Sequence, residues 1–338
     1  MTLSRKNKLI LMKIISLFSV VRGYNIPIII LAQYLSAIFI LAEKRALDVV
    51  LDFNMFIIVL ASSLSIASGY IINSFYDSQK DLINKPNKTM LDRLVSQKTK
   101  LQVYFGLNFF VFLIATLVSW RAVLFFSVYI FLIWFYSHKI KKYPIVGNVT
   151  AALLAVLPFF AILLYYQKID AILQNLNNEK YYVIFAHASF LFLLILIREM
   201  IKDLENIKGD LVQNYRTIPV ILGENFSKKI ITFLVLCTVI PVYILIEMYD
   251  VGYMDSYFYL SFIVLIFFLA KLWKSTSKEN YLLLHNILKF IIVAGVLCIV
   301  LIKPSVLIHG REVLDIYSKF VFRYQFPIPY LCKNFNDE

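Results

Sequence analysis

Uncharged stretches divide this sequence into nine apolar blocks separated by short charged segments. Most blocks approach the roughly 20 residues that an α-helix needs to cross a bilayer, and their apolar residues are continuous instead of following one helical stripe. The ninth block contains a single charge, Lys289. We therefore predict nine transmembrane helices, over residues 23–42, 53–76, 101–120, 122–138, 143–167, 181–197, 230–246, 256–270 and 280–302.

Lysine and arginine are unequally distributed among the segments that connect these blocks. They concentrate in the N-terminal arm and after the second, fourth, sixth and eighth blocks. Because basic loops tend to remain on the cytoplasmic side, this bias predicts a cytoplasmic N-terminus. We expect an all-α, multi-pass protein of a bacterial inner (plasma) membrane. Residues 1–303 would form one transmembrane domain, and residues 304–338 a C-terminal tail at the membrane interface.

The composition supports a membrane protein and changes the meaning of the net charge. Hydrophobic residues make up 60% of the 338 residues and charged residues 16%, against roughly 25% charged in a soluble domain. The formal net charge of +13 would suggest nucleic acid binding in a soluble protein. Here the basic residues lie between apolar blocks, so we expect contact with anionic membrane lipids or an anionic substrate, and no nucleic acid.

A first polar cluster follows the second block, on the side predicted to be cytoplasmic. Asn73, Asp77 and Asp81 recur every four residues, which places them on one helical face. Converging carboxylate and amide oxygens suit Mg²⁺, which commonly bridges protein carboxylates to substrate phosphates. Lys88 and Arg93 would complete an anion site, although each alone is more typical of a surface charge.

A second polar cluster lies at the end of the sixth block, on the same side. Its acidic and amide residues are spaced four, three and four apart and are Glu199, Asp203, Asn206 and Asp210. Arg198 and Lys202 lie beside them, as ligands of an anion would. One such cluster alone could be a solvated helix end, but two clusters that begin inside apolar spans on the same side favour a shared site.

Together these motifs resemble the UbiA-type superfamily of intramembrane prenyltransferases. Residues 73–81 match the family's Asn-x-x-x-Asp-x-x-x-Asp motif completely, and residues 203–223 resemble its second motif region. The resemblance covers about residues 20 to 300 and looks greatest for the branch that prenylates geranylgeranylglyceryl phosphate. Further similar positions are Arg22 and Asn25, at the start of the first predicted span, and Lys141 and Asn148, where the fourth predicted span joins the fifth.

The resemblance implies a UbiA-like helical bundle that transfers a prenyl group from an isoprenyl diphosphate to a lipophilic acceptor, with Mg²⁺ as cofactor. Tyr136 would either shield the carbocation with its ring or serve as an interfacial anchor. The implied metal ligands, which are also the catalytic residues, are Asp77, Asp81, Asp203 and Asp210, with Asn73 and Asn206 as further oxygen donors. The implied substrate-binding residues are Arg22, Asn25, Asn73, Lys88, Arg93, Lys141, Asn148, Arg198, Lys202 and Asn206.

One position departs from the family pattern, and the acceptor stays open. Asn206 stands where the second motif usually has its first aspartate, and Asp203 on the same face would supply the missing charge. Aromatic acceptors of quinone synthesis (4-hydroxybenzoate, dihydroxynaphthoate or homogentisate) are an alternative to geranylgeranylglyceryl phosphate. A membrane transporter is a further alternative, which scarce glycine and the one-sided polar clusters disfavour.

Overall fold

The computed structural model describes residues 5–41, 46–166, 179–249 and 251–304. Every regular element within these residues is helical. The predicted tail over residues 304–338 lies, apart from Pro304, outside them. The α-helices are α1 (Arg5–Val20), α2 (Ile26–Ser36), α3 (Ala46–Val50), α4 (Phe53–Tyr76), α5 (Ser78–Asn84), α6 (Pro86–Asp92), α7 (Gln97–Thr116), α8 (Trp120–His138), α9 (Val146–Tyr166), α10 (Glu179–Val212), α11 (Ile218–Cys237), α12 (Val239–Tyr243), α13 (Asp255–Lys274) and α14 (Lys278–Cys298).

Nine helical stretches in the described ranges are long and apolar enough to cross a membrane, which confirms the predicted number. Two of them combine several elements. The first span, Gly23–Leu41, contains α2 and the turns on either side, and the seventh, Ile218–Met248, contains α11 and α12. The protein is therefore an integral, multi-pass membrane protein. Helices α5 and α6 lie between the second and third spans.

Helix α10 is much longer than the uncharged block that predicted it. It runs without interruption for 34 residues, from Glu179 to Val212, which corresponds to about 51 Å. A hydrocarbon core of roughly 30 Å cannot contain that length. The second polar cluster therefore lies on the same continuous helix as the sixth span, as its spacing on one helical face predicts.

The helices pack into two groups that meet along α9, α10 and α5. In the first group α4 packs against α7 and α8, and in the second α10 packs against α11 and α14. Each group has its own apolar core, one built around Ile71, Val111 and Phe126, and the other around Ile197 and Phe268. The polar residues described below lie where these two groups meet.

Helix α9 contains a proline, and two neighbouring helices donate hydrogen bonds to backbone carbonyls near it. Pro158 has no N–H, so the carbonyl of Leu154 lacks its usual helical donor. The buried Tyr129 hydroxyl donates to that carbonyl at 3.1 Å. Gln33 of α2 donates to the carbonyl of Pro158 itself at 2.9 Å. These two bonds connect α8 and α2 to α9 beneath the polar site.

Candidate active site

A polar cavity opens at one end of the bundle, between the two groups of helices. It brings both polar clusters together, although they lie more than 100 residues apart in the sequence. Such a concentration of buried charge in a membrane protein is typical of a functional site. Its lining comprises Arg22, Asn73, Asp77, Lys80, Asp81, Lys85, Tyr136, Lys141, Gly147, Asn148, Glu199, Lys202, Asp203, Asn206 and Tyr215.

The first cluster lies where α4 passes into α5. Asp77 is the residue between the two helices, with φ −88° and ψ 5°. The helical hydrogen-bond pattern nevertheless continues through it. The Asp77 amide donates to the Asn73 carbonyl at 2.9 Å, and the Asp81 amide donates to the Asp77 carbonyl at 2.8 Å. The three side chains therefore stay on one face, as their spacing predicts, and all three line the cavity.

The second cluster lies on the last four turns of α10, and all of its members except Asp210 line the cavity. Asp203 accepts a hydrogen bond from the Asn148 amide of α9 at 2.7 Å. Asn206 donates to the Lys202 carbonyl at 2.7 Å, while its Oδ1 is buried and accepts no hydrogen bond from any described residue. Asp210, one turn further, is completely buried and accepts from Thr217 at 3.3 Å.

Two lysines connect carboxylates on different helices across the cavity. Lys141, from the segment after α8, donates to Asp77 at 2.7 Å and to Asn73 at 3.1 Å. Lys80 of α5 forms an ion pair of 2.6 Å with Asp210 of α10. Each ammonium group supplies counter-charge to a buried carboxylate, because an unpaired buried charge would be very costly.

The end of α10 aims Tyr215 into the cavity. Asn214 adopts the left-handed conformation with φ 56°, and the Tyr215 amide donates to the Asp210 carbonyl at 2.9 Å, as in a Schellman helix end. The Tyr215 hydroxyl then donates to Asp77 at 3.1 Å. The Lys80 ammonium lies 4.3 Å from the centre of the Tyr215 ring. This tyrosine thus contacts both polar clusters at once.

Asn84 holds α5 against α10 at the floor of the site. The Gly209 amide donates to Asn84 Oδ1 at 3.1 Å, and Asn84 is buried. A Cβ atom at Gly209 would lie only 2.3 Å from Asn84 Nδ2. Glycine is therefore required for the close approach of the two helices that carry the two clusters.

The ionisable groups between the spans are strongly influenced by one another. Burial alone would raise the pKa of Asp77, but Lys141 and Lys80 hold that pKa below its usual value. Burial, and then the negative charge of Asp77, raise the pKa of Asp81 despite nearby Lys85. The carboxylate of Asp81 is therefore less well neutralised than that of Asp77, and an additional cation beside it would be favourable.

The oxygen donors of the two clusters fit Mg²⁺ in their chemistry. Carboxylates and amide oxygens are the ligands that this hard cation prefers, and the buried Asn206 Oδ1 has no other partner among the described residues. In the same ranges, no three Asp, Glu, His or Cys side chains lie close enough together to form a complete metal site. Lys80 and Lys141 separate the carboxylates, so an ion would bind together with some movement of these lysines or with oxygens from a ligand.

The structure does not bring every candidate residue into the cavity. Lys88 forms an ion pair with Asp92 at 2.8 Å, and Arg93 is exposed. Helix α6 packs against α1, where Asp92 also accepts a hydrogen bond from Ser19. Lys88 and Arg93 therefore lie apart from the polar clusters, and the expected anion site does not include them.

Arg198 and Asn25 lie near the cavity without lining it. Arg198 pairs with the neighbouring Glu199 at 3.1 Å. Asn25 donates a long hydrogen bond of 3.4 Å to the Tyr70 hydroxyl, and Arg22 lies 5.0 Å above the same tyrosine ring. Arg22 itself, Tyr136, Lys141, Asn148 and Lys202 are all among the lining residues.

The sequence motifs do not identify Lys80, Tyr215 or Asn84 as site residues. The sequence does contain a signal for Lys80, because this residue lies between the two aspartates of the first cluster. Tyr215 and Asn84 act across more than 100 residues of sequence, and no local pattern reports such a contact.

Comparison with known proteins agrees with this geometry. Residues 30–288 match the sequence profile described as the UbiA prenyltransferase family. A protein of Pyrococcus horikoshii named digeranylgeranylglyceryl phosphate synthase is 30% identical over 55% of this chain, and the aligned region covers 63% of that relative, just under two thirds of its length. A protein of the same name from Methanobrevibacter smithii is 28% identical over 70% of this chain and 80% of its own length.

A solved structure has the same fold. It is described as a UbiA homolog from Archaeoglobus fulgidus bound to GPP and Mg²⁺, and it aligns with a TM-score of 0.60. The alignment covers 84% of this chain and 99% of the other, at 14% sequence identity.

Proposed function

The chain belongs to the UbiA prenyltransferase family, and from this premise we propose that it transfers a prenyl group from an isoprenyl diphosphate to a lipophilic acceptor, with Mg²⁺ as cofactor. The observation that carries the proposal is the convergence of both polar clusters on one cavity at the end of an apolar bundle. The names of the Pyrococcus and Methanobrevibacter relatives lead us to propose geranylgeranylglyceryl phosphate as the acceptor.

In this proposal the two clusters hold the diphosphate of the donor between them. Asp77 and Asp81 would provide metal ligands from one side, and Asp203 and Asp210 from the other. Mg²⁺ bound there would neutralise the charge that develops on the leaving diphosphate. Asn73 and Asn206 would add neutral oxygen ligands, in keeping with the buried, unpartnered Oδ1 of Asn206.

The basic residues of the cavity would bind the diphosphate oxygens directly. Lys80 and Lys141 already compensate carboxylates there, and a diphosphate would offer them additional anionic partners. Their positions on α5 and after α8 place positive charge on both sides of the Asp77 carboxylate. Asn148 would act indirectly, because its hydrogen bond to Asp203 orients that carboxylate.

The transfer would proceed at the apolar end of this cavity. The bond between the allylic carbon and the diphosphate oxygen breaks, and its electron pair leaves with the diphosphate. The acceptor oxygen forms a new bond to that carbon and loses its proton. Tyr136 lines the cavity, where its ring face would stabilise the transient positive charge. The surrounding helices would exclude water that could otherwise capture the cation.

The proposed orientation places the cavity on the cytoplasmic face of the plasma membrane. The support is the excess of lysine and arginine in the segments at the cavity end of the bundle. The named relatives come from archaea, so the proposal covers an archaeal plasma membrane as well as a bacterial one. Reporter fusions at Asp92, His138 and Lys228 should all give a cytoplasmic signal, and an external signal at any of them would refute the orientation.

The direct test of function is a transfer assay with the purified protein in lipid nanodiscs. Geranylgeranyl diphosphate and Mg²⁺ are supplied with geranylgeranylglyceryl phosphate or with 4-hydroxybenzoate, dihydroxynaphthoate or homogentisate. We expect diphosphate release that depends on Mg²⁺ and on the phosphorylated lipid acceptor. Transfer to an aromatic acceptor alone would replace the acceptor assignment. The absence of Mg²⁺-dependent release with every acceptor would refute prenyl transfer from this donor.

A further inference from the structure

On the side of α2 and α14, the polar cavity and its border carry cationic side chains in addition to Lys80 and Lys141, which we propose to bind the donor diphosphate. We call five cationic side chains there the basic subsite. They come from the start of the first span, the end of α5, and helices α10 and α14: Arg22, Lys85, Arg198, Lys202 and Lys289.

Electrostatic interactions connect the members of this subsite. Lys289 is influenced by the charges of Arg198 and Arg22, and Lys85 by those of Lys202 and Arg22. His285, one turn before Lys289 on α14, is influenced by Arg198, Lys202 and Lys85. Geometry places three of these groups together. Glu205 of α10 lies 3.9 Å from His285 of α14, Arg198 precedes Glu205 by two turns on α10, and Lys289 follows His285 by one turn on α14, which packs against α10.

Nearby carboxylates balance only part of this charge. Glu199 pairs with Arg198 at 3.1 Å and with Lys202 at 2.7 Å. Glu205 lies 3.8 Å from Lys85 and 3.9 Å from His285. In the described part of the chain these are the two carboxylates that form ion pairs with the subsite. Arg198 and Lys202 share the single carboxylate of Glu199, and Lys289 has no carboxylate partner in the described ranges. This end of the subsite therefore keeps a surplus of positive charge that favours an anionic ligand.

Two polar atoms in and beside the subsite have no hydrogen-bond partner within the described ranges. Arg198 Nε and His285 Nδ1 are buried and make no hydrogen bond there. Lys289 forms no ion pair with a described residue, and its ammonium lies 4.9 Å from the centre of the Tyr24 ring. A lysine inside an apolar span is costly, and unpaired buried donors add to the cost, so these groups point to a ligand.

Two members of the subsite, Arg198 and Lys289, lie deeper in the bundle than Asp203 of the proposed metal site. Lys289 is eleven residues from the start of α14, which corresponds to about 16 Å along the helix. Arg198 precedes Asp203 by five residues, or about 8 Å, in the direction of the membrane interior. Tyr24 and Phe290, which border this region, are exposed on the outer surface of the bundle. A ligand could therefore reach the subsite sideways from the bilayer.

We propose that Arg198, His285 and Lys289 form a binding site for the phosphate monoester of the lipid acceptor, separate from the site of the donor diphosphate. A phosphate monoester carries nearly two negative charges and three acceptor oxygens, which matches the surplus charge and the unpartnered donors. The apolar tail of the acceptor would lie against the exposed side chains of Tyr24 and Phe290. This inference rests on the proposed function and extends it to the choice of acceptor.

The test measures the Michaelis constants of both substrates in Lys289→Gln and Arg198→Gln. Each change removes one cation, and Lys229→Gln, at an exposed position of α11, is the matched control. We expect the KM for geranylgeranylglyceryl phosphate to rise about 10-fold or more in each of the two variants, because a charge-assisted hydrogen bond is lost. The KM for geranylgeranyl diphosphate should stay within about twofold of the wild type, which also reports that the variants remain folded.

A dephosphorylated acceptor, geranylgeranylglycerol, provides a second arm. The wild type should use it poorly, and Lys289→Gln should use it no worse than the wild type does. Equal increases in the KM of donor and acceptor would instead assign the subsite to the donor diphosphate and refute the inference. Unchanged constants in both variants would refute it as well.

Two further arms separate the sources of phosphate. Inorganic phosphate should inhibit the wild type competitively against the acceptor and Lys289→Gln more weakly. If the defect of Lys289→Gln appears only in nanodiscs with anionic lipids and leaves the acceptor KM unchanged, the subsite binds a bilayer headgroup and the inference fails. Efficient transfer by the wild type to an unphosphorylated acceptor would refute this inference while leaving prenyl transfer itself intact.

Discussion

The two polar clusters contribute to the cavity in different ways. The first, from Asn73 to Asp81, lies at a junction between two helices, and its best-neutralised carboxylate, Asp77, takes its partners from distant segments. The second, from Glu199 to Asp210, lies on one continuous helix and includes its own basic residues. Asp203 and Asp210 nevertheless take partners from α9 and α5. The backbone of the second cluster is therefore fixed by one helix and that of the first by a junction, while the side chains of both depend on packing.

This difference bears on the one position at which the second cluster departs from the family pattern. The first cluster matches its family motif at all three positions, and each of its side chains lines the cavity. In the second, Asn206 replaces an expected carboxylate, and Asp203 lies one turn away on the same rigid face. A continuous helix offers several equivalent positions for an oxygen ligand, while a helix junction fixes each position individually.

The largest expected effect comes from neutralising the first cluster. Asp77→Asn or Asp81→Asn keeps the shape of the side chain and removes one anionic oxygen, so we expect activity to fall about 100-fold or more. The protein should remain folded in the membrane, as shown by an unchanged detergent-extraction profile. Normal turnover of either variant in excess Mg²⁺ would exclude that residue as a metal ligand.

A smaller effect should separate Asp203 from Asn206 in the second cluster. We expect Asp203→Asn to raise the Mg²⁺ concentration for half-maximal activity about 10-fold or more, and Asn206→Ala to raise it much less. Asn206→Asp should leave that concentration unchanged or lower it, because another anionic oxygen strengthens a hard-cation site. Full activity of Asp203→Asn together with a loss in Asn206→Ala would reverse the assignment.

The contact between the clusters should show a modest effect on stability. Gly209→Ala places a methyl group against Asn84, and we expect it to lower the free energy of unfolding by about 1–3 kcal/mol. Gly106→Ala on α7 is the matched control, since no atom lies within 4 Å of its new Cβ, and it should be neutral or slightly stabilising. Thermal unfolding in detergent compares the two, and equal transition temperatures would show that α5 and α10 do not require this close approach.

The number of spans could be predicted from the sequence because long uncharged blocks are a strong local signal. The described residues contain the nine spans that were predicted. The spacing of the second cluster also predicts one helical face, which α10 confirms. The uncharged block alone did not define where α10 ends, because its last four turns are as polar as a loop. The spacing of Asn73, Asp77 and Asp81 correctly predicted a shared face, since hydrogen bonds continue through the helix junction.

The contacts across the cavity could not be predicted in the same way. The pairing of Lys80 with Asp210 and of Lys141 with Asp77 joins residues far apart in sequence, and such partners are chosen by packing. Lys88 and Arg93 illustrate the opposite error. Their proximity to the first cluster in sequence suggested a shared anion site, but the docking of α6 on α1 through Asp92 separates them from it.

The central claim is that both clusters bind one metal–diphosphate complex, and analogue binding tests it without catalysis. The measurement is the Kd of a non-reactive geranylgeranyl thiodiphosphate, with and without Mg²⁺, for the wild type, Asp81→Asn and Asp203→Asn. We predict that Mg²⁺ tightens binding to the wild type and that either substitution, although the two lie on different helices, abolishes most of this tightening. Full Mg²⁺-dependent tightening in Asp203→Asn, with its loss in Asp81→Asn alone, would contradict a site shared by the two clusters.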